Sequence, residues 1–389
     1  MLTCLLDFNS PLPYNRKPMR ITLLSKALVT GVYQRKCELI AAHPDVELTV
    51  CVPPAWRTGE DIARLERMHT QGYALVELPI HFNGNFHLHY YPHLTQQLQL
   101  ARPDIVHIDE EPYNLATFQA LRAAHALGAK ALFFSWQNLQ RHYPPPFRWI
   151  ERYVLANSQC AIAGSQEAAQ VLLGKGFAKQ IDVIPQFGVD PDVFTPRVAE
   201  LAQPREQFVI GYVGRLVKEK GVDLLLQSLV GLPESARVMI VGNGEELLNL
   251  RNLAVRLNVA NRVEFVPAVS STRIASIYPQ LDVLVLPSRT QANWKEQFGR
   301  VLIEAMACGV PVVGSTCGEI PQVVSDAGLL FPEGDADALR QQLNQLIEQP
   351  DTCANMAQRA RARVLAHYTM QHVADETVAV YRRMMQTGG

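Results

Sequence analysis

The chain has 389 residues, 48% of them hydrophobic and 19% charged, with a formal net charge of −1. That balance predicts two or three packed domains and excludes a low-complexity or disordered chain. A net charge so close to zero gives no overall pull toward nucleic acid, and no apolar run reaches the length of a membrane span, so membrane contact, if any, is peripheral.

Seven cysteines (Cys4, Cys37, Cys51, Cys160, Cys308, Cys317 and Cys353) are scattered, odd in number and without metal-ligand spacing. Free thiols in a reducing cytoplasm account for them. The N-terminus carries no apolar core followed by a cleavage site. The expected location is cytoplasmic, at most peripheral on the inner face of the membrane.

Residues 1–18 hold Pro11, Pro13 and Pro18 and predict a flexible N-terminal extension. The first domain is expected over 19–196, with strands at 21–25, 46–53, 74–78, 105–108, 131–135, 160–163 and 181–184. Its helices are expected at 31–42, 114–127, 146–156 and 166–175. The stretch from Pro185 to Pro196 is turn-rich, and polar residues 197–207 read as the linker. The second domain is expected over 208–368, with strands at 208–214, 238–241, 263–266, 283–286, 311–315 and 328–331. Its helices are expected at 222–229, 245–257, 272–277, 300–308, 320–324, 336–348 and 351–367, and a last helix follows at 370–385 within the tail 369–389. Short apolar strands alternating with helices predict an α/β fold, with Rossmann-like domains built on parallel sheets.

The richest stretch runs from Glu296 to Pro311. Gln297, Phe298 and Gly299 lead into the helix that Arg300 and Val301 open, and Gly309 suits its end. A helix start offers unpaired N–H groups and a positive dipole end, which suit a phosphate. Glu296 lies just before this helix and Glu304 one turn inside it; two such carboxylates suit the hydroxyls of a sugar and a ribose. Gly214 and Arg215 close the strand 208–214, with Lys220 just beyond. A glycine there lets the backbone approach a bulky anion, Arg215 can fork onto phosphate oxygens and Lys220 adds a point charge. Gly242 and Asn243 follow the next strand, in a glycine pair too short for the dinucleotide fingerprint.

The block Glu296-Gln297-Phe298-Gly299 through Glu304-Ala305-Met306-Ala307-Cys308-Gly309-Val310-Pro311 resembles the E-x7-E motif of retaining glycosyltransferases of family 4, also called glycosyl transferases group 1. The resemblance implies the GT-B fold, two Rossmann-like domains facing each other across a cleft, with the last helix crossing back to the first. It also implies a nucleotide-diphosphate-sugar donor as co-substrate, no cofactor and no metal. Arg215 and Lys220, in an element similar to the family's phosphate grip, would hold the donor diphosphate and act with Glu296 in catalysis. Glu304 would hold the ribose, and Val266 resembles the strand end whose backbone meets the base. Gly31 stands where members commonly have a glycine-rich turn, and Ser135-Trp136-Gln137-Asn138 where many have a histidine. Both departures concern the first domain.

An acceptor, a glycan or a lipid-linked sugar, is expected on that domain. Glu110 and Glu111 at a strand end, Trp136, Gln137, Asn138 and His89 are the candidate contacts. His81, His87, His89 and His93 with Phe82, Phe86, Tyr90 and Tyr91 form a stacking surface for an acceptor sugar, hold a metal, which the resembled family generally does not need, or pack as an ordinary loop. The basic, aromatic segment 141–149 either meets a membrane surface or leads rigidly into a helix. The expected activity is transfer of a hexose-type sugar with retention, in cell-envelope, polysaccharide or glycolipid synthesis. The alternative is a catalytically silent nucleotide-sugar-binding or scaffold protein of the same fold. A nicotinamide dehydrogenase would show the full G-x-G-x-x-G that is missing here, and an epimerase or phosphorylase would need a different catalytic set.

Overall fold

The computed structural model describes residues 17–59, 61–196 and 206–386. The expected extension and linker lie outside the described residues, except for Lys17, Pro18, Glu206 and Gln207. The first part of the chain runs β1 (Met19–Leu24), α1 (Arg35–Ala41), β2 (Val46–Val52), β3 (Ala55–Thr58), β4 (Asp61–Arg64), β5 (Ala74–Glu77), α2 (Leu94–Ala101), β6 (Ile105–Ile108), α3 (Leu115–Ala126), β7 (Lys130–Ser135), α4 (Phe147–Asn157), β8 (Cys160–Ala163), α5 (Gln166–Gly174) and β9 (Gln180–Val183). The second runs β10 (Phe208–Val213), α6 (Val222–Leu229), β11 (Ala236–Val241), α7 (Leu247–Arg256), β12 (Val263–Val266), β13 (Val283–Leu286), α8 (Arg300–Ala307), β14 (Val312–Ser315), α9 (Ile320–Val324), β15 (Leu329–Phe331), α10 (Ala336–Glu348), α11 (Pro350–His367) and α12 (Met370–Gln386).

Two parallel sheets result, in the orders β5-β2-β1-β6-β7-β8-β9 and β12-β11-β10-β13-β14-β15. Strands with helices on both faces must be apolar along their whole length. Ile105–Ile108 and Val283–Leu286 are buried at every position. In each sheet the order reverses beside the first strand, between β1 and β6 and between β10 and β13. Loops leaving such neighbours diverge and open a crevice, the usual ligand position in open α/β sheets. Ser25 and Asp109 close one crevice, and Gly214 and Ser288 the other.

The structure departs from the expected elements in a few places. The helix expected from Gly31 begins only at Arg35, after two 3₁₀ turns at Ala27–Val29 and Gly31–Gln34. The Gly31 N–H is spent on the Glu66 carboxylate at 2.6 Å rather than on a helical ladder. The helix expected over 272–277 is one 3₁₀ turn at Ile274–Ser276. The antiparallel β3–β4 hairpin and α2 were not expected. All four β4 residues are exposed, and α2 buries only Leu94 and Leu98, so neither leaves a strong apolar period.

The chain crosses between the sheets twice, and the crossings bond to each other. Val189 N donates to Tyr368 O at 2.9 Å, and Met370 N to Val189 O at 2.8 Å. Beyond this strap α12 lies on the first domain. Met370, Val373, Val378, Tyr381 and Met384 share a core with Ile21, Leu23 and Val50. The Tyr381 hydroxyl lies 2.7 Å from His107 Nδ1, and Arg382 pairs with Asp45 at 2.7 Å. Burial keeps the His107 imidazole neutral by pushing it down to about 3. Among the described residues no helix is long and apolar enough to cross a membrane. Tyr381→Ala should empty a fully buried aromatic site and cost about 3–5 kcal/mol, read as a lower midpoint in urea denaturation.

Candidate functional site

The second-domain crevice is built from strand ends. Gly214, Arg215, Gly242, Asn243, Ala268 and Val269 line one open pocket. Its floor needs glycine: Gly242 sits at φ +152°, and a Cβ there would stand 1.9 Å from the Gly214 carbonyl oxygen. Arg215 projects from the loop exposed, and it has no ion pair among the described residues. The Val266 carbonyl accepts from Gly242 N at 3.0 Å, so it is already used within the sheet. Ala268 and Val269, two and three residues farther on, are the ones that face the pocket.

Glu296 is buried, 7% exposed, in the loop that leads into α8. One oxygen takes both the Lys220 ammonium, at 2.6 Å, and the Ser288 hydroxyl, at 2.8 Å. The Lys220 ammonium also lies over the Trp294 ring, 5.0 Å from its centroid. The three polar groups meet because β10 and β13 are neighbours. Gly299, at φ +77°, turns the chain into α8. Its carbonyl accepts from Leu302 N at 2.8 Å, so the N–H groups of the first turn point back out of the helix. The ring of Phe298 packs beside that of Trp136, centroids 5.8 Å apart.

Glu304 is also buried. Tyr278 donates to one of its oxygens and Arg300 Nε to the other at 2.8 Å. Burial and the adjacent carboxylate push the Tyr278 hydroxyl far above its ordinary range, so it stays a donor. Burial opposes the Arg300 charge, but Glu304 and Tyr33 outweigh it and hold the guanidinium protonated.

The first domain touches this site directly. Asn138 Nδ2 donates to the Glu296 main-chain oxygen at 3.1 Å, and Gln297 Nε2 to the Trp136 carbonyl at 3.0 Å. Gln137 accepts from Lys175 at 2.8 Å. Glu111, half-buried, accepts from the Ser135 hydroxyl and Trp136 N, each at 2.7 Å, and so shapes the loop that meets Glu296 and Gln297. Burial pushes its carboxyl up to about 7 despite those donors. Glu110 is placed otherwise. It is sealed with Lys26, Asn114 and His89 beneath Trp56. Burial would raise its carboxyl, but Lys26 and His89 hold it down at about 2. His89 is fully buried, so it supports Glu110 from within instead of lining a surface. The exposed histidines of this loop are His81 and His93, whereas His87 is half-buried with its ring against Tyr113, Tyr143 and Phe147. Gly31, with its N–H on Glu66, offers none to a donor.

Ser288, Trp294 and Tyr278 were missed in the sequence. Ser288 was reachable, because it sits just past β13 at the point where the strand order reverses. Tyr278 and Trp294 carry no local signal.

Sequence profiles agree with this architecture. Residues 195–363 match the group described as "Glycosyl transferases group 1", and residues 38–193 match "Glycosyltransferase Family 4". The chain belongs to glycosyltransferase family 4. The D-inositol 3-phosphate glycosyltransferase of Mycolicibacterium smegmatis is 32% identical over 256 residues, which cover 62% of this chain and 57% of that enzyme. The enzyme of the same name from Mycobacteroides abscessus is 36% identical over 214 residues, 50% of this chain and 47% of the other. The chain thus spans only about half the length of these relatives. Among solved structures, HepE of Anabaena in complex with UDP superposes with a TM-score of 0.73 at 19% identity, over 94% of this chain and 100% of that one. Sucrose-phosphate synthase of Thermosynechococcus elongatus superposes with 0.70 at 22%, over 96% and 100%. These two likenesses place the fold in the GT-B class.

Two outcomes follow for the site. Gly242→Ala should push the β11 loop off Gly214 and weaken nucleotide binding about tenfold or more, measured by calorimetry. Lys26→Met should leave Glu110 buried without its cation and cost about 3–5 kcal/mol at pH 7 by urea denaturation. Glu110 sits at about 2, below its ordinary 4.5. The contribution of the pair is therefore full above that ordinary value and is lost as pH falls toward 2. The gap between variant and wild type should narrow over this window.

Proposed function

We propose that the protein is a retaining glycosyltransferase that moves a hexose-type sugar from a nucleotide-diphosphate-sugar to a glycan or lipid-linked acceptor, without a metal, in cell-envelope, polysaccharide or glycolipid synthesis. The observation that carries this is the meeting of Lys220 and Glu296 at 2.6 Å before the first turn of α8, next to the pocket of Gly214 and Gly242. Arg215, the main-chain N–H groups of Arg300 and Val301 in that turn and the remaining N–H groups of Lys220 are donors suited to a diphosphate. The bond between the anomeric carbon and the phosphate oxygen breaks, and the glycosidic bond forms on the same face. The acceptor hydroxyl's proton passes to the departing phosphate, whose growing charge the cations meet. A fixed donor of this kind is worth about 3–4 kcal/mol. Glu296 would hold the donor sugar and Glu304 the ribose. Glu111 and the 135–138 loop would face the acceptor.

HepE has been solved with UDP and with UDP-glucose, which makes uridine nucleotides the first donors to try. Incubation with a panel of nucleotide-sugars should give slow release of nucleoside diphosphate from at least one. Glu296→Ala should lower that release about a hundredfold or more while nucleotide binding survives. Lys220→Ala should weaken both. Binding without release by the wild type would instead favour a silent binding protein, and no binding of any donor would sink the enzyme.

A further inference from the structure

Trp294 makes a contact that the core of the second domain does not require. Its half-buried ring packs on that core, yet its centroid also stands 5.0 Å from the Lys220 ammonium. The turn that carries it is fastened at three points. Gln291 N donates to the Trp294 carbonyl at 2.7 Å, and Trp294 N donates back to the Gln291 carbonyl at 3.3 Å. At the tip, Arg141 of the first domain donates to the Asn293 carbonyl at 2.5 Å. At the root, Arg289 forks onto Asp223 at 2.7 and 3.2 Å and donates to the Lys218 carbonyl at 3.1 Å. Its main-chain N–H donates to the Glu219 carbonyl at 2.7 Å. The backbone around Lys220 is thereby tied to the segment that leads to Trp294. What stays free is the four-carbon stem of Lys220. Two groups hold its end, the Glu296 carboxylate and the Trp294 ring.

The first domain contains the same trio in a filled form. Lys26 pairs with Glu110 and lies 5.3 Å from the Trp56 ring centroid. His89 and Asn114 take up more of that carboxylate. In the second domain Glu296 Oε1 carries no hydrogen bond among the described residues, and the Lys220 ammonium spends one of its three N–H groups on Oε2. The second trio is built alike and has capacity left over.

We propose that Trp294 is a positioning residue whose ring holds the Lys220 ammonium against the donor diphosphate. This rests on the donor site described above. As the bond from the anomeric carbon to the phosphate oxygen breaks, its electron pair goes to that oxygen. The ammonium has to meet this charge while still bonded to Glu296. A carboxylate in place of the ring would compete with the phosphate for N–H groups. An aromatic face attracts the ammonium through its quadrupole, so it restrains the stem and leaves the N–H groups to the phosphate. Leucine in its place would fill space without attracting the charge, and phenylalanine would keep part of the attraction. A contact of this kind corresponds to about threefold to thirtyfold in rate.

The test is a double-mutant cycle in the full chain. UDP-glucose, UDP-N-acetylglucosamine, GDP-mannose, ADP-glucose and dTDP-glucose are screened for release of nucleoside diphosphate, and the one hydrolysed fastest is taken into kinetics. Trp294→Leu should lower kcat about tenfold and raise KM by less. Trp294→Phe should lose about threefold, a rescue that mere filling of space would not give. Lys220→Gln leaves Glu296 a donor and removes the charge. Added to Lys220→Gln, Trp294→Leu should change kcat by less than about twofold, because the ring acts through the ammonium. If Trp294→Leu does not fold, Trp294→Phe in the two backgrounds carries the cycle. Equal losses for leucine and phenylalanine would overturn the proposal, and so would losses that multiply in the double variant. Multiplying losses with a raised KM would make Trp294 a surface for the donor sugar instead. Release from none of the five donors by the wild type would sink the donor site, and the positioning role with it.

Discussion

A carboxylate that is 7% exposed needs partners inside the protein, and Glu296 has Lys220 and Ser288 together on one of its oxygens. Lys220 follows β10, Ser288 follows β13, and Glu296 stands in the loop between β13 and α8. Ser288 is 8 residues from Glu296 in sequence, but Lys220 is 76. Lys220 reaches the other two only because β10 and β13 are neighbours with crossovers that leave in opposite directions. The topology of the second sheet is thus a precondition for the charge arrangement, and the arrangement anchors the loop that feeds α8.

The first sheet repeats the device. Lys26 follows β1, Glu110 follows β6, and the two pair at the corresponding reversal of strand order. The surroundings differ. Lys26 lies beside the rings of Trp56 and Phe86, and Glu110 has His89 and Asn114 around it, so the pair is closed in. The neighbouring acid, Glu111, is left with two neutral donors and a carboxyl pushed up by burial. Two adjacent residues on one strand end therefore have opposite electrostatic fates, set by whether a cation is within reach.

Much of the second domain was legible in the sequence because its signals are local. Strands 263–266 and 283–286 and helices 222–229, 320–324 and 336–348 fall where their apolar spacing puts them. Glu296, Gly299 and Glu304 sit around one helix start, and their spacing survives folding unchanged. The first domain was less legible because its site is made by contacts distant in sequence. That Glu110 is buried and Glu111 half-exposed depends on Lys26, His89 and Ser135, which no window around residue 110 contains. His89 read as a surface residue within an aromatic, histidine-rich loop, yet the β3–β4 hairpin, itself unseen, brings Trp56 over it. Tyr33 carried no signal, since its partner Arg300 lies 267 residues away.

The contacts between the domains divide into two kinds. At the back, the strap and α12 join them through main-chain bonds and a shared apolar core, with Met370, Val373 and Tyr381 packed against the first sheet. At the front, around the cleft, the contacts are mostly polar, the Trp136–Phe298 ring contact apart: Asn138 on the Glu296 carbonyl, Gln297 on the Trp136 carbonyl, Arg141 on the Asn293 carbonyl, and Glu319 on the N–H of Gln166. Each of these hydrogen bonds can be exchanged for water at a net cost of about 1 kcal/mol, whereas parting the back would expose a larger buried aliphatic and aromatic surface. Separation should therefore begin at the front and turn about the back. Glu319 shows the same preference from the other side: burial raises its carboxyl, and the helix start at Gln166 and Glu167 only partly offsets this. The front face is thus held by exchangeable bonds and the back face by packing, and the two faces differ in what it costs to part them.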